Sequence, residues 1–103
     1  MKTDFKKKAS EIKFAQITKL VRLGQLEQAL AECQLLRRQE KKSCFLLNSI
    51  GSLQLELGDL ETAIKSFQTA IKINPNMGEA WFNLGNAFIK FSDLSSAEKA
   101  YLQ

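Results

Sequence analysis

Histidine and cysteine, the side chains most often used in metal binding and nucleophilic catalysis, are nearly absent from this chain. The 103 residues include no histidine and two cysteines, Cys33 and Cys44. Two thiols without a histidine or a Cys-x-x-Cys pair make a poor zinc site, and small intracellular proteins rarely contain disulfides. We therefore predict no metal site and no cofactor, and we interpret Cys33 as a small buried apolar residue.

Other catalytic patterns are also missing. The sequence contains no nucleophile motif, and Gly51, Gly58 and Gly85 do not have the spacing of a phosphate-binding loop. A chain without a histidine, a nucleophile motif, a phosphate-binding loop or a cluster of metal ligands lacks the usual components of an active site. We predict that it is not an enzyme and has no catalytic residue.

The positive charge of the chain is concentrated in its first half. Residues 1–43 carry eleven Lys and Arg against five Asp and Glu, a balance of +6, whereas residues 44–103 carry four against six, a balance of −2. The cluster of Arg37, Arg38, Lys41 and Lys42 could attract an acidic peptide, RNA or an anionic membrane. We favour a solvated face, because no aromatic platform is interleaved with these cations.

The composition is that of one globular helical domain. Apolar residues make up 45% and charged residues 25% of the chain, and there is a single proline. No apolar run approaches the roughly 20 residues that cross a bilayer. The basic N-terminus, Met1 to Lys8, is followed by polar residues and so is not a secretory signal. We predict a cytoplasmic protein without a membrane span.

A 34-residue period organises the sequence. Gly51 and Gly85 are 34 residues apart, as are Ala63 and Ala97, and the turn sequence around Gly58 recurs upstream around Gly24. The two clearest copies are Leu47, Ile50, Gly51, Gln54, Ala63, Phe67, Ala70 and Pro75, then Trp81, Leu84, Gly85, Phe88, Ala97 and Tyr101. This spacing of Trp-x-x-Leu-Gly, Ala-x-x-x-Phe and Pro is typical of a helix–turn–helix repeat.

Six helices follow from this pattern. Glycine ends the first helix of a pair, and Asp59 and Asp93 then occupy N-cap positions. Asn74-Pro75 ends the fourth helix because a residue before proline avoids the helical region. We expect helices at 4–23, 25–39, 43–57, 60–73, 77–91 and 94–103.

On these residues the chain resembles the tetratricopeptide-repeat proteins. The resemblance implies an all-α solenoid, a right-handed superhelix of antiparallel helix pairs. We expect a basic N-terminal extension at 1–9, a divergent first repeat at 10–43, a second repeat at 44–77 and a third at 78–103 with an incomplete second helix. In this family the first helix of each pair lines a concave groove that binds peptides of partner proteins.

The resemblance also implies which residues face that groove. They are Phe14, Thr18, Phe45, Asn48, Ser49, Phe82, Asn83 and Asn86. Some relatives clamp the C-terminal carboxylates of chaperone tails with Lys, Asn and Arg, but the matching positions here are Phe14, Thr18, Ser49, Glu79 and Asn83. We expect no chaperone-tail clamp, because a buried carboxylate without a cation is costly to desolvate.

Three functions compete at this point. The first is a scaffold that binds a protein or peptide in the groove. The second is an accessory, substrate-docking region of a larger enzyme, since similar arrays occur N-terminal to sulfotransferase or glycosyltransferase domains. The third is RNA binding, which we disfavour because Glu11 and Glu79 line the groove. The uncapped third repeat also raises the option of self-association.

Overall fold

Five helices make up the described part of the chain. The computed structural model describes the backbone of residues 2–102 and the side chains of residues 11–94, and within these limits it contains no strand. The helices are α1 (Lys2–Arg22), α2 (Leu26–Gln39), α3 (Cys44–Glu56), α4 (Leu60–Ile73) and α5 (Gly78–Leu102). Helices α1 and α2 form one antiparallel hairpin, and α3 and α4 form the next. The predicted all-α solenoid of helix pairs is confirmed.

The two hairpins turn at glycines in the left-handed conformation. Gly24 has a φ of 77° and Gly58 a φ of 87°. In each turn the glycine amide donates to a carbonyl three residues back, and the next amide donates to a carbonyl five residues back. This is a Schellman motif, which satisfies the last carbonyls of a helix and needs a residue without a Cβ penalty.

The predicted third turn is wrong. Ser92 stands where the 34-residue period places the glycine, and α5 passes through it without interruption to Leu102. A serine would be strained in the left-handed conformation that the other two turns require, whereas it is tolerated within a helix. The chain therefore has five helices instead of six, and Asp93 lies inside α5 instead of at an N-cap.

Helix caps also differ from the expectation. Asp59 precedes α4, but its side chain accepts no backbone amide; its Oδ1 accepts a hydrogen bond of 2.9 Å from the Thr62 hydroxyl. Ser43 is the residue that caps with its side chain, since its Oγ accepts the Leu46 amide at 3.1 Å at the start of α3. Such a cap contributes about 1 kcal/mol to helix stability.

Helix α3 is the centre of the structure and packs against α2, α4 and α5. Its Gly51 allows the ring of Phe67 on α4 to lie directly on the helix backbone, and Phe67 is fully buried. A Cβ atom at Gly51 would lie 2.6 Å from Cε1 of Phe67, which is closer than two non-bonded carbon atoms approach. Helices α3 and α4 can therefore pack this closely only because residue 51 has no side chain.

In the first repeat the large and the small residue of this pair are exchanged between the two helices. Ile17 stands at the Gly51 position and Cys33 at the Phe67 position, and both are buried in one apolar cluster. A large residue on α1 thus accompanies a small residue on α2. This exchange of volume explains why the first copy of the repeat is hard to recognise although its core is packed.

Two glycine substitutions at equivalent positions should have opposite effects on stability. Gly51→Ala is expected to lower the free energy of unfolding by about 1–2 kcal/mol, because overpacking against Phe67 outweighs the gain in helix propensity. Gly85→Ala is expected to raise it by about 0.5–1 kcal/mol, because a Cβ there meets no atom of the described side chains within 4 Å. Urea unfolding of both variants in dilute solution provides the comparison. Equal effects at the two positions would contradict this account of the packing.

Candidate functional site

A cavity of about 320 Å³ lies on the face formed by α1, α3 and the start of α5. Five of the eight predicted groove residues line it, and they come from α1 and α3: Phe14, Thr18, Phe45, Asn48 and Ser49. Residues 34 apart in sequence reach the same face because successive repeats stack in register. The structure therefore brings most of the predicted groove residues together.

An aromatic pair forms one wall of the cavity. The rings of Phe14 and Phe45 lie 5.6 Å apart between centroids at an interplanar angle of 67°, in an edge-to-face arrangement. Phe45 remains about half exposed, while Phe14 packs partly on the core of the first hairpin. An exposed aromatic surface of this kind binds apolar side chains and gives a ligand a rigid contact.

Asparagines connect the second and third repeats across the same face. Asn83 on α5 donates from Nδ2 to Oδ1 of Asn48 at 3.0 Å and approaches Oγ of Ser52 at 3.4 Å. Asn48 is only 6% exposed, so its carbonyl is committed to this contact. These hydrogen bonds hold α3 against α5. They use the side-chain nitrogen of Asn83, and its side-chain carbonyl takes no part in them.

The remaining predicted groove residues lie outside the cavity lining. Phe82 is 70% exposed on α5, and Asn86 is partly buried further along the same helix. Asn83 contacts two residues of the lining, Asn48 and Ser52, without lining the cavity itself. Sequence reasoning about the groove also missed several residues that line the cavity: Val21, Leu53 and Glu56. They lie one helical turn beyond Thr18, Ser49 and Ser52, so helical spacing could have identified them.

The charged residues of the cavity are acidic. Glu56 and Glu79 line it, and no lysine or arginine is among the described residues that do so. The carboxylates repel anions and attract cations near the aromatic pair. The cavity therefore combines an apolar wall with a negative potential.

The basic cluster lies elsewhere, between α2 and α4. Arg37, Arg38 and Lys41 line a second cavity of about 620 Å³, whereas Lys42 is not among its lining residues. Its floor includes Gln54 and Ser66, a buried pair in which the serine hydroxyl donates to Gln54 Oε1 at 2.7 Å. The positive charge of the first half is thus separated from the acidic groove.

The cysteine environments agree with a packing role for Cys33. Burial, together with the nearby charge of Glu32, raises the pKa of the Cys33 thiol from 9.0 to about 11. Both cysteines are unpaired thiols. Within the part of the chain that the structure describes, no three His, Cys, Asp or Glu side chains lie together as a metal site would require.

Known proteins resemble this chain in both sequence and fold. A family model described as TPR repeat matches residues 51–90. Superkiller protein 3 of Schizosaccharomyces pombe is 34% identical over 62% of this chain, and Superkiller complex protein 3 of Mus musculus is 38% identical over 54%. Two solved structures titled MamA, one of them residues 41 to the end from Desulfovibrio magneticus RS-1, match with a TM-score of 0.76 and 25% identity.

These matches confirm the predicted resemblance to the tetratricopeptide-repeat proteins, and residues 51–90 match the TPR-repeat model. The fold match with the MamA structures covers 84% of this chain. It covers 49% of the MamA structures, so this chain spans about half of their length. It spans only 5% and 4% of the two curated relatives. Repeats of this class serve as protein-interaction scaffolds. Among the described residues, no helix is both long and apolar enough to pass through a lipid bilayer.

The two thiols should differ sharply toward alkylating reagents. At about pH 8 only on the order of 0.1% of a thiol with a pKa near 11 is thiolate, and Cys33 is also fully buried. We expect iodoacetamide to modify Cys44 alone in the native protein and both thiols in guanidinium, as read by mass spectrometry of peptides. Rapid native alkylation of Cys33 would show that the first hairpin opens.

The asparagine contact should be measurable as stability. Asn83→Ala leaves the Asn48 carbonyl buried without its donor, so we expect the free energy of unfolding to fall by about 1–2 kcal/mol. Asn86→Ala is the matched control on the same helix, with an expected change below about 0.5 kcal/mol. Urea unfolding of the two variants tests the contact. Equal losses would mean that Asn83 does not hold α5 to α3.

Proposed function

We propose that this chain is a binding module whose groove on α1, α3 and α5 holds a segment of a partner protein. The observation that supports the proposal most directly is the cavity that joins Phe14, Phe45 and Glu79. A groove lined by first helices of successive repeats presents side chains from three repeats to one extended ligand. One relative is named as part of a complex, which fits a scaffold role.

The chemistry of the groove favours a basic and apolar segment. The edge-to-face aromatic pair provides a surface for an apolar side chain, while Glu56 and Glu79 complement lysine or arginine beside it. The same carboxylates disfavour RNA phosphates and a free C-terminal carboxylate. The ligand is therefore proposed to differ from a chaperone tail, since Glu79 stands where the clamp would need a cation.

An accessory role in a larger enzyme would use the same groove. A catalytic domain or its substrate would then supply the segment bound by Phe14, Phe45 and Glu79. No described residue favours this alternative over a separate partner, so the proposal is limited to the binding step and its ligand class.

A pair of synthetic peptides tests the proposal. Both contain the same central leucine and phenylalanine, flanked by lysines in one peptide and by glutamates in the other. We expect the lysine peptide to bind at least about tenfold more tightly at low salt and to lose this advantage as salt is raised. Fluorescence anisotropy measures the affinities.

Variants then locate the site. Phe45→Ala and Glu79→Gln should each weaken binding of the lysine peptide by about five- to tenfold, because one removes the apolar wall and the other a carboxylate. Glu61→Gln on the exposed side of α4 is the matched control and should leave binding unchanged. Equal binding of both peptides, or equal effects of Glu61→Gln and Glu79→Gln, would exclude this groove.

A further inference from the structure

The larger of the two cavities described above is a channel between α2 and α4, and α3 forms its floor. Both outer helices pack on α3, but their backbones do not approach each other closely. The volume of about 620 Å³ is within the range of cavities that hold ligands. The α3 residues of the channel lie on the face of that helix opposite to the face that lines the acidic groove, so the two sites are separate.

The charged side chains of this channel are cations. Arg37 and Arg38 near the end of α2 line it, together with Lys41 in the turn that follows. Gln34, one helical turn before Arg38, extends this row of polar side chains. No Asp or Glu is among the described residues of the lining. The row is longer than one helical turn of about 5.4 Å, so it extends beyond a single anionic group.

The floor of the channel supplies a hydrogen-bond donor from a buried residue. Gln54 is only 5% exposed, and its Oε1 accepts the Ser66 hydroxyl at 2.7 Å, while its Nε2 donates to no described residue. Among the described residues, no enclosed side-chain nitrogen or oxygen lacks a hydrogen-bond partner, so this Nε2 is open to the channel that Gln54 lines. The equivalent residues of the other repeats are Leu20 and Phe88, so the packing of a repeat does not require an amide here.

We propose that this channel binds a phosphoserine or phosphothreonine side chain on a segment of a partner protein. A phosphate monoester carries close to two negative charges and three acceptor oxygens, whereas a carboxylate carries one charge and two oxygens. The phosphate can therefore engage more of the three cations and the Gln54 amide than an Asp or Glu side chain can. The planar guanidinium groups of Arg37 and Arg38 are suited to paired hydrogen bonds with phosphate oxygens.

The lining of the channel favours a peptide over a nucleic acid. No aromatic side chain is among the described residues of the lining, so a nucleobase would have no ring on which to stack. The residues on either side of a phosphorylated side chain would lie along the polar row of α2, where Gln34 can donate to and accept from a peptide backbone. This site and its ligand do not depend on the function proposed for the acidic groove.

Three matched peptides test the requirement for phosphate. They share one neutral sequence without aromatic residues, and the central position is phosphoserine, glutamate or serine. We expect the phosphoserine peptide to bind at least about fivefold more tightly than the glutamate peptide and at least about tenfold more tightly than the serine peptide. Fluorescence anisotropy at about 0.1 M salt measures the affinities, because long-range attraction to exposed charges is largely screened there.

Two competitors identify the source of the phosphate. Inorganic phosphate lacks the flanking residues, so it should displace the labelled phosphoserine peptide only at a concentration at least about tenfold higher than the unlabelled phosphopeptide needs. A uridine trinucleotide has two phosphodiester charges and three bases without a stacking partner in the channel. It should also need at least about a tenfold higher concentration.

Variants of the basic cluster locate the site. Arg37→Gln and Arg38→Gln should each weaken binding of the phosphoserine peptide by about five- to tenfold. Lys42→Gln is the matched control, because it removes a charge of the same sign that lies outside the channel lining, and it should weaken binding less than about twofold. Glu79→Gln in the acidic groove should not weaken it, which separates this site from the groove.

Nuclear magnetic resonance tests the donor in the floor of the channel. The side-chain NH2 signals of Gln54 are expected to shift when the phosphoserine peptide is added, whereas those of Asn83 are expected to stay unchanged. This measurement uses the unaltered chain, so it does not require a core variant to fold. Equal binding of the phosphoserine and glutamate peptides, equally effective displacement by either competitor, equal effects of Arg38→Gln and Lys42→Gln, or unchanged Gln54 signals would each overturn the proposal.

Discussion

Both helix hairpins of the described chain reverse through a residue in the left-handed conformation, and glycine is the residue that adopts it without strain. Gly24 and Gly58 do so at φ values of 77° and 87°, and the resulting Schellman motifs place α2 against α1 and α4 against α3. The stacking of the repeats depends on these two turns, because each hairpin buries its apolar face only after it has closed. Ser92 removes the same possibility from the third repeat, and α5 continues as one helix.

The interior of a hairpin depends on complementary volume more than on particular residues. Gly51 accommodates the buried ring of Phe67, while Ile17 and Cys33 fill the equivalent space of the first repeat in the opposite sense. A Cβ at Gly51 is excluded by contact with the ring, so each residue of such a pair limits its counterpart. The third repeat has a small residue at Gly85 on α5, and among the described residues no side chain packs on it as Phe67 packs on Gly51.

The sequence predicted the helices well because their ends are determined locally. The bounds of α1 to α4 lie within two residues of the expected positions, since glycine turns and the Asn74-Pro75 pair act on their immediate neighbours. The turn predicted at 91–94 is wrong. The similarity of Phe91–Ala97 to the turn sequence around Gly58 suggested it, but a turn there would require Ser92 to adopt the left-handed conformation. The groove was predicted in part: residues on α1 and α3 follow helical spacing. The pairing of Asn48 with Asn83 could not be predicted, because it depends on how closely α5 approaches α3.

That pairing limits which side chains the proposed binding groove could use to recognise a ligand. An amide that already accepts a hydrogen bond at 3.0 Å and is almost fully buried cannot turn to grip a peptide backbone without breaking the contact that holds α5. The side chains of the cavity that remain available include the Phe14–Phe45 pair and the carboxylates of Glu56 and Glu79. An apolar ligand that covers these carboxylates without a cation would leave them desolvated and unpaired, which is strongly unfavourable. In the proposed binding function, a ligand with lysine or arginine next to an apolar side chain avoids this cost. The carboxylates would then select against purely apolar and acidic segments, while the aromatic pair would supply contact area.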